Sequence, residues 1–203
     1  MKVDLEGTPF EIFSELKKQS GNFLSHEYTK RQQAACANEL REKVDGVHIV
    51  LQVDFSENAS LGYQNEIQSV HWNHRQATLF TCYAWISPEV NESIVIIWDD
   101  LTHTKLSVYA YMTRILDIIV TKYPSVKSID IFSDGAASQF KQKYLFSHLH
   151  TWETKFEISL RWNFFATSHG KGVVDGIGGA VKRSVWRQVR SGSANVSTPS
   201  FAK

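Results

Sequence analysis

Three aspartates stand where the sequence predicts strands to end or a helix to begin. Asp54 closes the apolar run at 47–54, and Asp134 follows the apolar run at 126–132. Asp175 lies among glycines at the predicted start of the last helix. An ionised carboxylate in apolar surroundings is unfavourable unless it pairs with a cation. We therefore predict that these three side chains bind metal ions.

Carboxylate oxygens are the ligands that Mg²⁺ prefers, and each ion needs only one or two of them besides substrate phosphate. Two such ions, about 3.5–4 Å apart, stabilise the attacking and leaving oxygens of a phosphodiester displacement. We predict that Asp54 bridges two Mg²⁺ (or Mn²⁺) ions, with Asp134 and Asp175 on either side. The chemistry expected of this site is the cutting or joining of DNA strands.

Each aspartate taken alone also has a structural interpretation. Asp134 precedes glycine and could close an ordinary turn. Asp175 could cap the helix that it begins, and Asp54 could be a satisfied carboxylate at a strand end. Only their joint placement, on two predicted central strands and one helix, favours a metal site.

The hydrophobic pattern predicts an α/β fold in the order three strands, helix, strand, helix, strand, helix. The strands are expected at 47–54, 77–86 (with 68–72 in a hairpin region), 93–98, 126–132 and 158–166, and the helices at 106–123, 139–152 and 176–189. A meander followed by crossovers predicts a mixed five-stranded sheet with helices on both faces. This is the order of elements in the RNase H-like fold.

The 203 residues suit one domain with additions at its ends. We predict an N-terminal helical and linker segment over 1–45, an RNase H-like core over 46–192, and a flexible tail over 193–203. Within the first segment, Pro9 opens one helix, the run 20–22 breaks it, and a second helix follows.

The amino-acid composition excludes few classes of function. The net charge of +1 argues neither for nor against nucleic acid. The two cysteines match no zinc spacing and suggest no disulfide framework. No uncharged apolar run is long enough to span a bilayer, so we expect no membrane association.

Four blocks carry a resemblance to a known family: 52–58, 66–72, 132–141 and 164–183. They resemble the DDE/DDD transposases and integrases, in particular a group of transposon-derived proteins of invertebrate genomes. The resemblance covers about 45–190 and implies a retroviral-integrase-like core, divalent metal, DNA as partner, strand cleavage and transfer, and nuclear localisation. Many such enzymes use glutamate as the third acid, where this chain has Asp175.

Several side chains near the acids are predicted to contact DNA. His169 could touch the scissile phosphate or the attacking group, although a structural histidine is the alternative. The predicted DNA-binding residues are Lys171, Gln139, Lys141, Lys182 and Arg183. For the helical ones, an ordinary solvated helix face is the alternative. The glycines from 170 to 179 suit a backbone that approaches DNA or the central strand closely.

Two other functions stay open. A 3′–5′ exonuclease of the same fold needs Asp-x-Glu on its first strand, but here Glu57 follows Asp54 one residue too late. On a regular strand that spacing turns Glu57 to the opposite face. The other alternative is a decayed or domesticated core that binds DNA or protein without catalysis, since no zinc-finger or helix-turn-helix pattern is evident. A homo-oligomer is compatible with either.

Overall fold

A computed structural model describes residues 6–61, 75–166 and 172–191 of the protein. Its elements are α1 (Pro9–Glu42), β1 (His48–Leu61), β2 (Arg75–Trp85), β3 (Asn91–Trp98), α2 (Lys105–Lys122), β4 (Ser128–Ser133), α3 (Lys143–Phe156), β5 (Ser159–Phe164) and α4 (Val173–Arg190). The predicted order of elements is confirmed. The expectations for 68–72 and for the tail at 193–203 lie outside the described residues.

The five strands form one mixed sheet in the order β3-β2-β1-β4-β5. β1, β2 and β3 make an antiparallel meander. β4 runs parallel to β1, and β5 runs parallel to β4. Helices α2 and α3 provide the connections into β4 and β5. This is the RNase H-like topology that the sequence predicts, and it places β1 at the centre of the sheet.

The main core lies between one face of the sheet and the helices α2 and α3. Ile49, Leu51 and Val53 of β1 are buried there against Met112 of α2 and Trp152 of α3. Because strand side chains alternate between faces, the residues between them point to the other face. That alternation directs Gln52 and Asp54 away from the main core.

The opposite face of the sheet is covered by α4 and by the last turns of α1. Val185 of α4 is buried with Leu79 of β2. Ala37 of α1 is buried with Val50 and Phe132. The side of the sheet that carries Asp54 is therefore enclosed by two helices. Within the described residues, no helix has both the length and the apolar character needed to cross a membrane.

The N-terminal segment differs from its prediction, because α1 is one continuous helix and not two. Thr8 caps it in a capping box, and Pro9 occupies its first turn as expected. Gly21 sits in mid-helix with no atom near the position of a Cβ. A glycine there costs only about 1 kcal/mol relative to alanine, which is too little to end a long helix.

Helix α3 begins later than the sequence predicts, at Lys143 and not at Gln139. The preceding residues form turns in which the Phe140 N–H bonds to the Ala136 carbonyl at 2.8 Å. The Phe140 side chain is fully buried in the main core. Gln142 then caps the helix by accepting a hydrogen bond from the Tyr144 N–H at 2.9 Å. Burial of one aromatic side chain thus overrides the helical pattern of this stretch.

Candidate active site

Two of the three aspartates lie near the end of β4, here called the aspartate edge, where Asp54 is within β1 and Asp134 directly follows the neighbouring strand β4. The parallel pairing of β1 with β4 ends at Gln52 opposite Phe132. Two residues further along the same register, Asp54 comes opposite Asp134. The strand pairing has ended by this point, but Asp134 is near enough for its charge to act on the Asp54 carboxyl. The sequence predicted that the first strand ends at Asp54, and this is wrong, because β1 continues to Leu61 through residues that pair with β2.

Helix α4 brings the third aspartate across the face of the sheet that carries Asp54. A Cβ at Gly172 would lie 3.3 Å from the Gln52 amide nitrogen, and one at Gly178 would lie 2.7 Å from the Ser56 Cβ. The helix backbone therefore rests directly on β1 at both positions. Asp175 is exposed between these glycines, and its charge contributes to the electrostatics of Asp54. The predicted close approach of this glycine-rich segment to the central strand is confirmed for Gly172 and Gly178.

The electrostatics of Asp54 reflect these neighbours. Burial of the carboxyl and then repulsion from Asp134 raise its pKa, and the charge of Asp175 adds to the effect. A hydrogen bond from the Phe55 N–H opposes the rise, and the resulting pKa of Asp54 is about 7. Asp134 and Asp175 therefore lie close enough to Asp54 for their charges to act on it. A site of this kind favours either a proton or a cation.

Asp134 and Asp175 also have the local roles that the sequence left open. Asp134 accepts a hydrogen bond from the Ala136 N–H at 3.2 Å and so stabilises the turn after β4. Asp175 accepts one from the Gly172 N–H at 2.9 Å and caps α4. Across 6–61, 75–166 and 172–191, no three His, Cys, Asp or Glu side chains are grouped closely enough to hold a metal ion. The charges of Asp134 and Asp175 act on Asp54, but the three carboxylates do not converge on one point.

The donor chemistry of this edge fits Mg²⁺ or Mn²⁺. Such an ion takes carboxylate oxygens and needs only one or two from the protein. Asp54 and Asp134 supply that number. Burial, together with the charges of Asp134 and Asp175, raises the pKa of Asp54, and a divalent cation bound there would favour its ionised form.

The predicted DNA-binding residues lie at different places around this edge. Gln139 is partly exposed in the turns after Asp134, and Lys141 is exposed beside them, its ammonium 5.9 Å from the Phe164 ring. On α4, the guanidinium of Arg183 lies against Gly179.

Two predicted residues, His169 and Lys171, fall outside the described residues. Lys182 is described, and its ammonium lies 4.0 Å from the carboxylate of Glu57. The sequence predicted Glu57 on the face opposite Asp54, and this is wrong. The register of β1 against β2 shifts between Ser56 and Ala59. This bulge breaks the alternation of faces and brings Glu57 towards α4.

Sequence reasoning missed Arg41, which links α1 to the central strand. Its Nη2 donates a hydrogen bond to the Gln52 side-chain oxygen at 2.9 Å, and its guanidinium lies 4.2 Å from the centre of the Trp85 ring. An arginine in a polar helix gives no sequence signal that distinguishes it from a solvated one. Its position becomes evident only from the packing of α1.

No curated protein matches it. Among solved structures, the catalytic core domain of BIV integrase matches with 14% identity and a TM-score of 0.40, over 75% of this chain and 78% of that one. The sequence matches the family described as "Domain of unknown function (DUF8701)" over residues 33–201. The chain therefore belongs to the DUF8701 family.

Proposed function

We propose that the protein carries out transposase-like cleavage and transfer of DNA strands at Asp54, Asp134 and Asp175. The observation that carries this proposal is the electrostatic state of Asp54. Its pKa is raised to about 7 by burial and by two further carboxylates contributed by β4 and α4. Strongly perturbed acids of this kind are concentrated at functional sites.

In this proposal Asp54 and Asp134 hold a divalent ion, and Asp175 completes the site from α4. Bound Mg²⁺ or Mn²⁺ would stabilise negative charge on the attacking and leaving oxygens of the phosphodiester. Asp134 and Asp175 are each oriented by a backbone N–H, from Ala136 and Gly172 respectively. Each of these bonds engages a single carboxylate oxygen.

The DNA strand would lie along the exposed edge where α4 crosses β1. Lys182 and Arg183 on α4 offer positive charge there, and Lys141 does so beside Asp134. The ion pair between Lys182 and Glu57 spans 4.0 Å, and the Glu57 side chain is 97% exposed. Such a pair contributes little stability, so a DNA phosphate could replace Glu57 as the partner of Lys182.

A plasmid-nicking assay with the full chain tests this function. We expect relaxation of supercoiled DNA in Mn²⁺ or Mg²⁺, none in EDTA, and loss of activity in Asp54→Asn and Asp134→Asn. The matched control is Asp117→Asn, which removes an exposed carboxylate that pairs with Arg114 on α2. Nicking that persists in Asp54→Asn would refute the proposed site.

A non-catalytic DNA-binding module is the second candidate. It is favoured by the hydrogen bond that Asp175 accepts from the Gly172 N–H. It is also favoured because the described residues contain no group of three His, Cys, Asp or Glu side chains that could hold a metal ion. The same assay separates the two functions when it is paired with a gel-shift measurement. DNA binding without nicking in any divalent metal would establish the binding module in place of the nuclease.

A further inference from the structure

A cavity of about 240 Å³ opens beside the aspartate edge, between the end of α1 and the sheet. Its walls include Arg41 of α1, Gln52 of β1, Trp85 of β2 and Gly172 at the start of α4. Gln52 precedes Asp54 by two residues on the same face of β1. Two residues of a strand span roughly 6.6 Å, so the cavity directly adjoins the proposed active site.

Arg41 is the principal charged group of this cavity. Its guanidinium stacks on Trp85 and donates to Gln52. Its Nε–H is buried and has no hydrogen-bond acceptor among the described residues. Nor does any described carboxylate lie within ion-pairing distance of it. Burial lowers the pKa of Arg41, but a guanidinium stays charged at any physiological pH.

The rest of the cavity also favours an anion. Lys30 of α1 contributes a second positive charge, although its ammonium lies 3.3 Å from Glu27. Gly172, at the N-terminus of α4, also borders the cavity, but its N–H is bonded to Asp175, whose carboxylate offsets the helix dipole. None of the described residues that line the cavity is acidic. Arg41 is half-buried, and its buried Nε–H, which lacks an acceptor among the described residues, would be stabilised by a bound anion.

We propose that this cavity, with Arg41 as its anchor, binds one backbone phosphate of a nucleic-acid strand that continues into the aspartate edge. This inference rests on the proposed function and deepens it by adding a substrate-positioning site. The cavity is smaller than the ~300–1,000 Å³ typical of pockets that enclose a whole small molecule. Its size suits one phosphate group of a longer strand better than an enclosed ligand.

The test is binding of a short fluorescein-labelled single-stranded DNA by the full chain in EDTA, followed by anisotropy over a range of salt concentrations. The variant is Arg41→Gln. The control is Arg114→Gln, which removes the same charge from the exposed surface of α2. We expect Arg41→Gln to bind several-fold more weakly, with a salt slope smaller by about 0.7, the value of one single-strand phosphate contact. Arg114→Gln should change neither quantity.

Equal affinity and salt slope in the Arg41 and Arg114 variants would overturn the proposal. A second arm measures the melting temperature in inorganic phosphate. If phosphate stabilises the wild-type chain and not Arg41→Gln, while DNA affinity is unchanged by the substitution, the ligand is free phosphate and the assignment to a strand is wrong.

Loss of the fold is controlled by far-UV circular dichroism of each variant. If Arg41→Gln does not fold, Lys30→Gln becomes the decisive variant, because it removes a cavity charge and leaves the contact between Arg41 and Trp85 intact. An unchanged salt slope in Lys30→Gln would then refute the site. EDTA excludes metal chemistry from this binding assay. A negative binding result therefore does not bear on the nicking assay, and an absence of nicking does not bear on the binding assay.

Discussion

At the scale of single residues, the proposed role of Asp54 as a metal ligand conflicts with the stability of the folded protein. The folded protein raises its pKa to about 7, whereas a solvated aspartate titrates near 3.9. Below about pH 4 the group is protonated in both the folded and unfolded states, so it does not disfavour folding. As the pH rises from there through 7, the unfolded state ionises more readily and the free energy of unfolding falls.

Asp54→Asn should therefore stabilise the protein at pH 8 and change little near pH 4. Three pKa units correspond to about 4 kcal/mol, and we expect roughly half of that because the carboxyl keeps some contact with water. Urea unfolding of both chains at the two pH values measures the difference. The Asp117→Asn control should show no such pH-dependent gain, since that carboxylate is exposed. A loss of stability in Asp54→Asn at pH 8 would contradict the account.

At the scale of elements, α4 reaches the sheet because glycine removes the side chain where helix and strand cross. Gly178→Ala should destabilise the protein by about 1–3 kcal/mol, since the new methyl group overlaps Ser56. Gly176→Ala is the matched control in the same helix, because nothing lies near its Cβ position. That control should gain up to about 1 kcal/mol of helix propensity. Thermal unfolding distinguishes them, and equal shifts in melting temperature would refute the crossing geometry.

The continuity of α1 has its own test at Gly21. In an unbroken helix, Gly21→Pro should disfavour the helical state by about 3 kcal/mol and lower the helical circular dichroism signal. Gly21→Ala should raise that signal slightly, because its Cβ meets open space. If the chain instead breaks at this point, as the run Ser20-Gly21-Asn22 first suggests, proline would leave the signal unchanged.

Part of this arrangement of helices and strands could be predicted from the sequence, and part could not. Strand order and the position of Asp134 after β4 were predictable, because buried strands produce local apolar patterns. The end of β1 was not, since the strand continues past Asp54 to Leu61 by pairing with β2. The bulge that brings Glu57 to Lys182 was not, since it depends on pairing between β1 and β2. The role of Arg41 likewise depends on where α1 docks. Long-range packing, and not local pattern, decided both.

At the scale of the whole molecule, Asp130 and Asp54 lie towards opposite ends of the parallel strands and have different surroundings. Near the start of β4, Asp130 is 1% exposed and accepts hydrogen bonds from Arg161 at 2.7 Å and Asn163 at 3.3 Å. Its charge is neutralised within the sheet. At the other end, Asp54 faces further carboxylates. The acid at one end is neutralised by its hydrogen-bond partners, and the acid at the other end is the one that we propose binds a cation.

Asp130→Asn should therefore have the opposite effect to Asp54→Asn. We expect it to lower the free energy of unfolding by about 1–3 kcal/mol, because a charge-assisted hydrogen bond to Arg161 is lost. Urea unfolding at neutral pH measures this loss. Metal affinity should not change, since Asp130 lies away from the aspartate edge. A stabilised Asp130→Asn chain would show that the contrast between the two ends is wrong.

Calorimetric titration of the full chain with MnCl₂ at neutral pH tests the central claim most directly, since it asks whether the aspartate edge takes a divalent cation. We expect measurable Mn²⁺ binding by the wild-type chain and by Asp117→Asn. We also expect loss of binding in Asp54→Asn and Asp134→Asn, although the former is folded and more stable. Manganese binding by Asp54→Asn equal to that of the wild-type chain would contradict the account.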